Sequence, residues 1–240
     1  MNRVSLINDK LEGFQIDFSI VKYSNNILDI FNKPEKYEIE LEVTNRTIET
    51  NILEVSIKKT IKYILMGIQN TNFPINNITI NKIKDEYLSL FNTKKTDKRD
   101  IFIGPNSITL QQTNLIDDKN SDYPYINDGF CVTDKADGER RLLYIGKDNN
   151  IYLISNKMDI EYTGVNIEDN FINLQGLLLD GEFIKYDKNK NIINMYAAFD
   201  IYFITLNKVK TDIRKNEFKL HRYKVLRRVI DTIKKKINNK

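Results

Sequence analysis

The segment Asp134-Lys135-Ala136-Asp137-Gly138-Glu139-Arg140 brings a lysine, a carboxylate, a glycine and an arginine together in a short stretch after an apolar run. A lysine amine attacks a phosphorus centre only when unprotonated, and a nearby cation or desolvation lowers its pKa. Gly138 permits close backbone approach to a ligand. Arg140 offers a fork of donors suited to ribose oxygens or phosphate. Taken alone, Lys-x-Asp-Gly-x-Arg equally fits an exposed turn between strands, with Asp-Gly as hairpin chemistry. Two further segments follow it in order, Leu178-Leu179-Asp180-Gly181-Glu182-Phe183 and Tyr196-Ala197-Ala198-Phe199-Asp200-Ile201. Nearer the N-terminus, Glu38, Glu40 and Glu42 alternate along one extended run, so their carboxylates face the same way. Like charges in a row are costly unless solvent or a cation separates them. Hard divalent cations prefer such oxygens, and a charged, solvent-exposed edge strand is the other reading.

The elements that must position these groups follow from periodicity. Phe14 to Ile20 and Tyr37 to Val43 alternate with period two and predict strands. Leu53, Ile57, Ile61, Ile64 and Ile68 form one apolar stripe of a helix, which Asn45 or Thr47 would cap. A second helix spans roughly Ile80 to Phe91, with Ile80, Ile83, Tyr87 and Leu90 on one face. The polar stretch 92–99 reads as a linker and places a domain boundary there. Beyond it, strands are predicted at Phe130 to Thr133, Arg141 to Gly146, Ile151 to Ser155, Leu177 to Tyr186 and Asn194 to Ile204, with turns at 147–150 and 187–191. A basic amphipathic helix, about Glu217 to Lys236, comes last.

Composition bounds the rest. The chain has 240 residues, 41% hydrophobic and 29% charged, enough for a core and a polar surface. No apolar run reaches the roughly 18 residues of a membrane span. A single cysteine, Cys131, cannot pair within the chain and fits a reducing compartment. Cys131 and the lone His221 give no zinc signature. The net charge of +4 is modest, but Lys and Arg dominate from Lys208 onward. Such a segment either meets phosphates or forms a solvated helix face.

The three C-terminal segments, in that order, resemble the covalent nucleotidyltransferase superfamily of mRNA capping guanylyltransferases and ATP- or NAD-dependent polynucleotide ligases. Lys135 to Arg140 resembles motif I, Asp180-Gly181-Glu182 motif III and Phe199-Asp200 motif IIIa. The resemblance implies that Lys135 takes the nucleoside monophosphate as a phosphoramidate. It implies that Asp137 and Gly138 contact the nucleotide from the same loop, that Arg140 and Glu182 contact the ribose, and that Phe199 stacks on the base. Asp200 would sit near the metal or support the site. Ala136 is small where ligases more often carry tyrosine or leucine. The stretch Ile103 to Leu110, with Tyr125 to Arg140, is similar to capping enzymes of the poxvirus and mimivirus kind. Those resemblances favour GTP over ATP, with Mg²⁺ or Mn²⁺ at the phosphates and a 5′-diphosphate RNA end as acceptor.

Glu-x-Glu-x-Glu followed by a long helix resembles the last metal-binding strand of the triphosphate tunnel metalloenzymes, which precede the guanylyltransferase in viral capping enzymes. On that likeness Glu38, Glu40 and Glu42 are metal ligands. Arg3, Ser5, Asp17 and Ser19 look like parts of neighbouring tunnel strands. The expected architecture is α+β. Residues 1–95 are a partial tunnel β-barrel with two helices, the end of an RNA 5′-triphosphatase. Residues 96–240 are an antiparallel-rich nucleotidyltransferase half-domain of the ATP-grasp-like or ligase type. Motifs IV to VI and an OB-fold would lie beyond Lys240, so the resemblance implies a piece of a larger enzyme. It also implies a cytoplasmic setting (viral factory, virion or cytoplasmic plasmid) and a methyltransferase or further capping domains as partners. An ATP-dependent polynucleotide ligase and a non-catalytic RNA- or partner-binding remnant are the alternatives.

Overall fold

The computed structural model describes residues 2–7, 13–45, 47–91, 102–105, 108–117, 124–127, 129–167, 174–206, 209–214 and 222–237. The chain forms two compact units, Met1–Asn70 and Thr71–Lys240.

In the first unit, β1 (Asn2–Ile7), β2 (Phe14–Val21) and β3 (Lys36–Val43) make a three-stranded antiparallel sheet with β2 in the centre. β2 buries residues of both faces, Phe14 and Ile16 as well as Asp17 and Ser19. α1 (Thr50–Gln69) follows. Its inward row is Leu53, Ile57, Thr60 and Ile64, whereas Ile61 and Ile68, expected on the stripe, are exposed. Thr60 can sit there because its hydroxyl donates to the Ser56 carbonyl at 2.8 Å, so no polar group is left unpaired. The expected cap also differs. The helix starts after Glu49 without a side-chain cap, and Asn45 instead accepts from the Thr47 amide and hydroxyl in the preceding turn.

In the second unit six strands lie in the order β6-β5-β4-β7-β8-β9, every neighbouring pair antiparallel. They are β4 (Glu139–Ile145), β5 (Asn150–Ser155), β6 (Ile160–Asn166), β7 (Leu178–Tyr186), β8 (Ile192–Leu206) and β9 (Val209–Asp212). α2 (Asn77–Leu90) covers one face and α3 (Arg222–Ile237) the other. Alternation along each strand supplies both layers. Leu142 and Tyr144 of β4 join Ile83, Tyr87 and Leu90 of α2, while Leu143 and Ile145 join Leu226, Val229 and Ile233 of α3.

Three expectations change here. α2 was assigned to the first domain, with the boundary at 95/96. Its apolar face is instead buried in the second unit, and the units divide after Asn70. Residues 130–133 form no strand; Val132 is fully exposed, with no neighbouring strand to cover it. β6 and β9 were not anticipated. The linker stretch 92–99 lies outside the described residues. Among the described residues no helix is long and apolar enough to cross a membrane.

Candidate active site

Lys135 lies on the extended segment that leads into β4. Its side chain is 87% exposed, and its Nζ donates to Asp137 Oδ1 at 3.0 Å. That hydrogen bond, the Asp137 charge and, less strongly, the Glu182 charge hold the amine above the usual lysine range. Asp137 is correspondingly held below the usual carboxylate range by Lys135. The loop therefore holds its lysine as an ammonium.

Gly138 has a packing reason of its own. A Cβ there would lie 2.7 Å from the Phe183 carbonyl oxygen, so the glycine lets the loop enter the sheet against β7. Gly181 answers to the same constraint, 2.6 Å from the Ala197 carbonyl of β8. Both Asp-Gly pairs are thus strand-packing devices rather than hairpin turns.

Arg140 is register partner to Glu182 across β4 and β7. Its guanidinium is engaged by a residue given no separate role above. Nε and Nη2 donate to Asp180 at 3.1 and 2.6 Å, and the Asp180 side chain is buried. This bidentate pair holds Arg140 above its usual pKa range. Tyr202 donates its hydroxyl to the same carboxylate. The ring of Phe102 lies 5.6 Å from the guanidinium carbon. Phe102 is held in turn by α2, because buried Tyr87 accepts from the Ile103 amide at 2.8 Å. Arg214, paired to Asp212, faces the rings of Phe91, Tyr202 and Phe203 at 5.2 to 5.3 Å and fixes Tyr202 from behind. The fork expected to reach ribose is pre-set by a carboxylate, a phenol and a ring.

Glu182 stands outside this satisfied network, as does Arg141, whose buried Nε also has no partner among the described residues. Glu182 Oε2 is buried and has no hydrogen-bond partner among the described residues. A buried carboxylate oxygen left without a donor costs on the order of 1–3 kcal/mol or more, so it marks a place where a donor from outside would be accepted.

Phe199 is placed by a bulge. Asp180 pairs with Asp200 and Gly181 with Ala198, so Phe199 is the extra residue of β8. The ring is turned out of the ladder and is 40% exposed. Tyr202 is likewise the extra residue between Ile201 and Phe203. Asp200, expected near a metal or in support of the site, is held from α3. Arg222 at the start of α3 donates to its Oδ1 at 2.8 Å. Burial raises the Asp200 pKa and Arg222 opposes that shift. Neither Tyr202 nor Arg222 was singled out from the sequence, since each partner is distant along the chain.

The first unit carries a separate cluster. The register Asp17↔Glu40 and Gln15↔Glu42 brings Asp17, Glu40 and Glu42 together, with one oxygen from each within 4.8 Å of the others. Arg3 bridges them, at 3.2 Å from Asp17, 2.7 Å from Glu40 and 3.8 Å from Glu42. Hydrogen bonds from Ser5 and Gln15, with the Arg3 charge, lower the Asp17 pKa. Glu38, expected in the set, accepts from the Tyr23 hydroxyl at 2.9 Å instead. Cross-strand register, not alternation along β3 alone, selects the trio.

The family model of the mRNA capping enzyme catalytic domain matches residues 67–240. A protein of Acanthamoeba polyphaga mimivirus named a probable mRNA-capping enzyme is 30% identical over 189 residues, which is 79% of this chain. The chain spans 14% of that protein's length.

Proposed function

Because this chain belongs to the mRNA capping enzyme catalytic-domain family, we propose that it is the nucleotidyl-transferring part of a capping guanylyltransferase, with Lys135 as the residue that takes GMP. The observation that carries the reading is the β4–β7 pair, in which the lysine loop enters the sheet beside Arg140 and the donor-less oxygen of Glu182. A ribose hydroxyl is the donor that Glu182 lacks, and Phe199 offers a face for a flat base. Asp137 and Gly138 then act on the nucleotide only through the loop. Asp137 sets the charge state of Lys135, and Gly138 sets the path of the chain.

In the reaction the Lys135 amine loses its proton and attacks the α-phosphorus of GTP. The N–P bond forms as the bond to the bridging oxygen of the β-phosphate breaks, and pyrophosphate leaves. A 5′-diphosphate RNA end then displaces the lysine and carries GMP away. Asp137 must release Lys135 before attack, since it favours the ammonium. Arg140 stays in place through Asp180 while Glu182 accepts from the sugar, which fixes the nucleotide relative to the loop. A divalent cation, Mg²⁺ or Mn²⁺, would supply neutralisation of the phosphates. Asp200 has its Oδ1 taken by Arg222, and no step is assigned to a metal there. On this reading the chain works in a virus-type or plasmid-type cytoplasmic system, on RNA 5′ ends, alongside other capping domains and a methyltransferase.

A second reading concerns the first unit. Asp17, Glu40 and Glu42, rather than the Glu38 to Glu42 triplet, have the donor chemistry for a hard cation. They favour a tunnel-type RNA 5′-triphosphatase part in that unit, with Arg3 as the charge a cation or a phosphate would meet.

Incubation with α-labelled GTP and Mg²⁺ tests the first reading. Acid-labile label on the protein that disappears in Lys135→Ala is expected. Label from ATP instead of GTP makes the chain a ligase-type enzyme. Nucleotide binding with no label under any condition makes it a binding remnant. Label that survives Lys135→Ala refutes the assignment of the nucleophile.

A further inference from the structure

The outward face of α3 has no role in the site described above. Lys224, Arg227, Arg228, Lys234 and Lys235 are all exposed on it, and Asp231 is the one acidic residue of the helix. None of these five cations makes a salt bridge among the described residues, whereas α1 and α2 pair Lys58 with Glu54 and Lys82 with Glu86. The opposite face, Leu226, Val229 and Ile233, is buried in the core. The helix therefore keeps no apolar stripe for entering a membrane surface. Lys224 to Lys235 covers about 16 Å at about 1.5 Å per residue, long enough to meet several backbone phosphates in succession. Tyr223, half exposed, lies beside the Arg227 guanidinium at 6.0 Å and adds a ring on which a base can stack. The helix is also tied to the candidate nucleotide strand, since Arg222 holds Asp200, the neighbour of Phe199.

We propose that this face of α3 binds the sugar–phosphate backbone of single-stranded RNA. The choice of RNA as the polyanion rests on the capping reading, which makes an RNA end the acceptor. Binding of a short 5′-hydroxyl RNA by the full chain, followed by fluorescence anisotropy across a salt series without GTP, tests it. Because no GTP is present, a chain that takes no GMP label still gives an answer.

The triple variant Lys224→Gln, Arg228→Gln, Lys235→Gln should flatten the slope of log K against log salt by about 2, at about 0.7 per phosphate contact. Affinity near 0.1 M salt should fall between about tenfold and a hundredfold. Replacing Lys224 and Lys235 by arginine should leave both unchanged and excludes loss of the helix as the cause. An unchanged slope in the triple variant overturns the proposal. So does tighter binding to polyglutamate or to phosphatidylserine vesicles than to RNA, lost in the same variant.

Discussion

Glu182→Gln separates a ligand-binding carboxylate from a structural one, because the two roles move stability and binding in different directions. Glu182 Oε2 is buried with no donor, so the folded chain carries the cost of an unmade hydrogen bond, about 1–3 kcal/mol for a buried polar group and more for a charged one. The amide keeps the shape and removes the charge. The second unit should then gain about 1 kcal/mol, which raises its melting temperature by about 2–4 °C for a unit of this size. GTP loses a hydrogen bond from ribose to a charged acceptor, about 1.5–3 kcal/mol, and its affinity falls between about tenfold and a hundredfold. Thermal unfolding with and without GTP reads both effects in one experiment, since a ligand that binds only the folded state shifts the transition by mass action. The variant should melt higher without nucleotide and gain less from GTP. A variant that melts lower and keeps the full GTP-induced shift would show that Glu182 serves the sheet and that its orphaned oxygen is no binding site.

Three further outcomes follow from the same geometry. Gly138→Ala puts a Cβ 2.7 Å from a backbone oxygen that cannot yield. It should cost about 1–3 kcal/mol in a urea melt. Displacement of the Lys135 loop should slow GMP labelling on the order of 10²-fold, and labelling at the parental rate contradicts the packing role. Asp180→Ala strips Arg140 and Tyr202 of their shared acceptor. With Arg140 partly exposed, the loss should be about 2–3 kcal/mol, below that of a fully buried broken pair; a urea midpoint that does not move would place the pair outside the stabilising network. Asp137→Asn removes the main contact that raises Lys135. Since a raised lysine stays protonated to higher pH, labelling should climb with pH in the parent, and the climb should begin at lower pH in the variant. Superimposable pH profiles would remove Asp137 from control of the amine.

The lysine loop, both acidic strands and the α2 stripe were readable because each is local. Ile83, Tyr87 and Leu90 recur on one helical face and are buried together. β6 escaped because Gly164, at φ 82°, breaks the alternation of Ile160, Glu161, Tyr162 and Thr163 after four residues. The side of the chain on which α2 packs was not legible, because a polar stretch marks a loop but not which sheet the preceding helix covers. Partners far apart in sequence were out of reach. Asp180 sits 40 residues from Arg140, and Arg222 lies beyond the end of β8 from Asp200. The acidic cluster was legible in part. Alternation correctly put Glu38, Glu40 and Glu42 on one face, but only the register of β2 could exchange Glu38 for Asp17.

The bulge at Phe199 makes that residue dispensable to the ladder. Deleting it would leave Ala198 opposite Gly181 and Asp200 opposite Asp180, so this one irregularity could close while the bulge at Tyr202 stays. Shortening the chain by one residue inside a long central strand ordinarily turns every later side chain to the wrong face. Here it would restore the alternation at this point and remove the ring. On the proposed reading, a relative that lacks a residue at this point keeps the sheet and loses a stacking face, and with it affinity for every base alike.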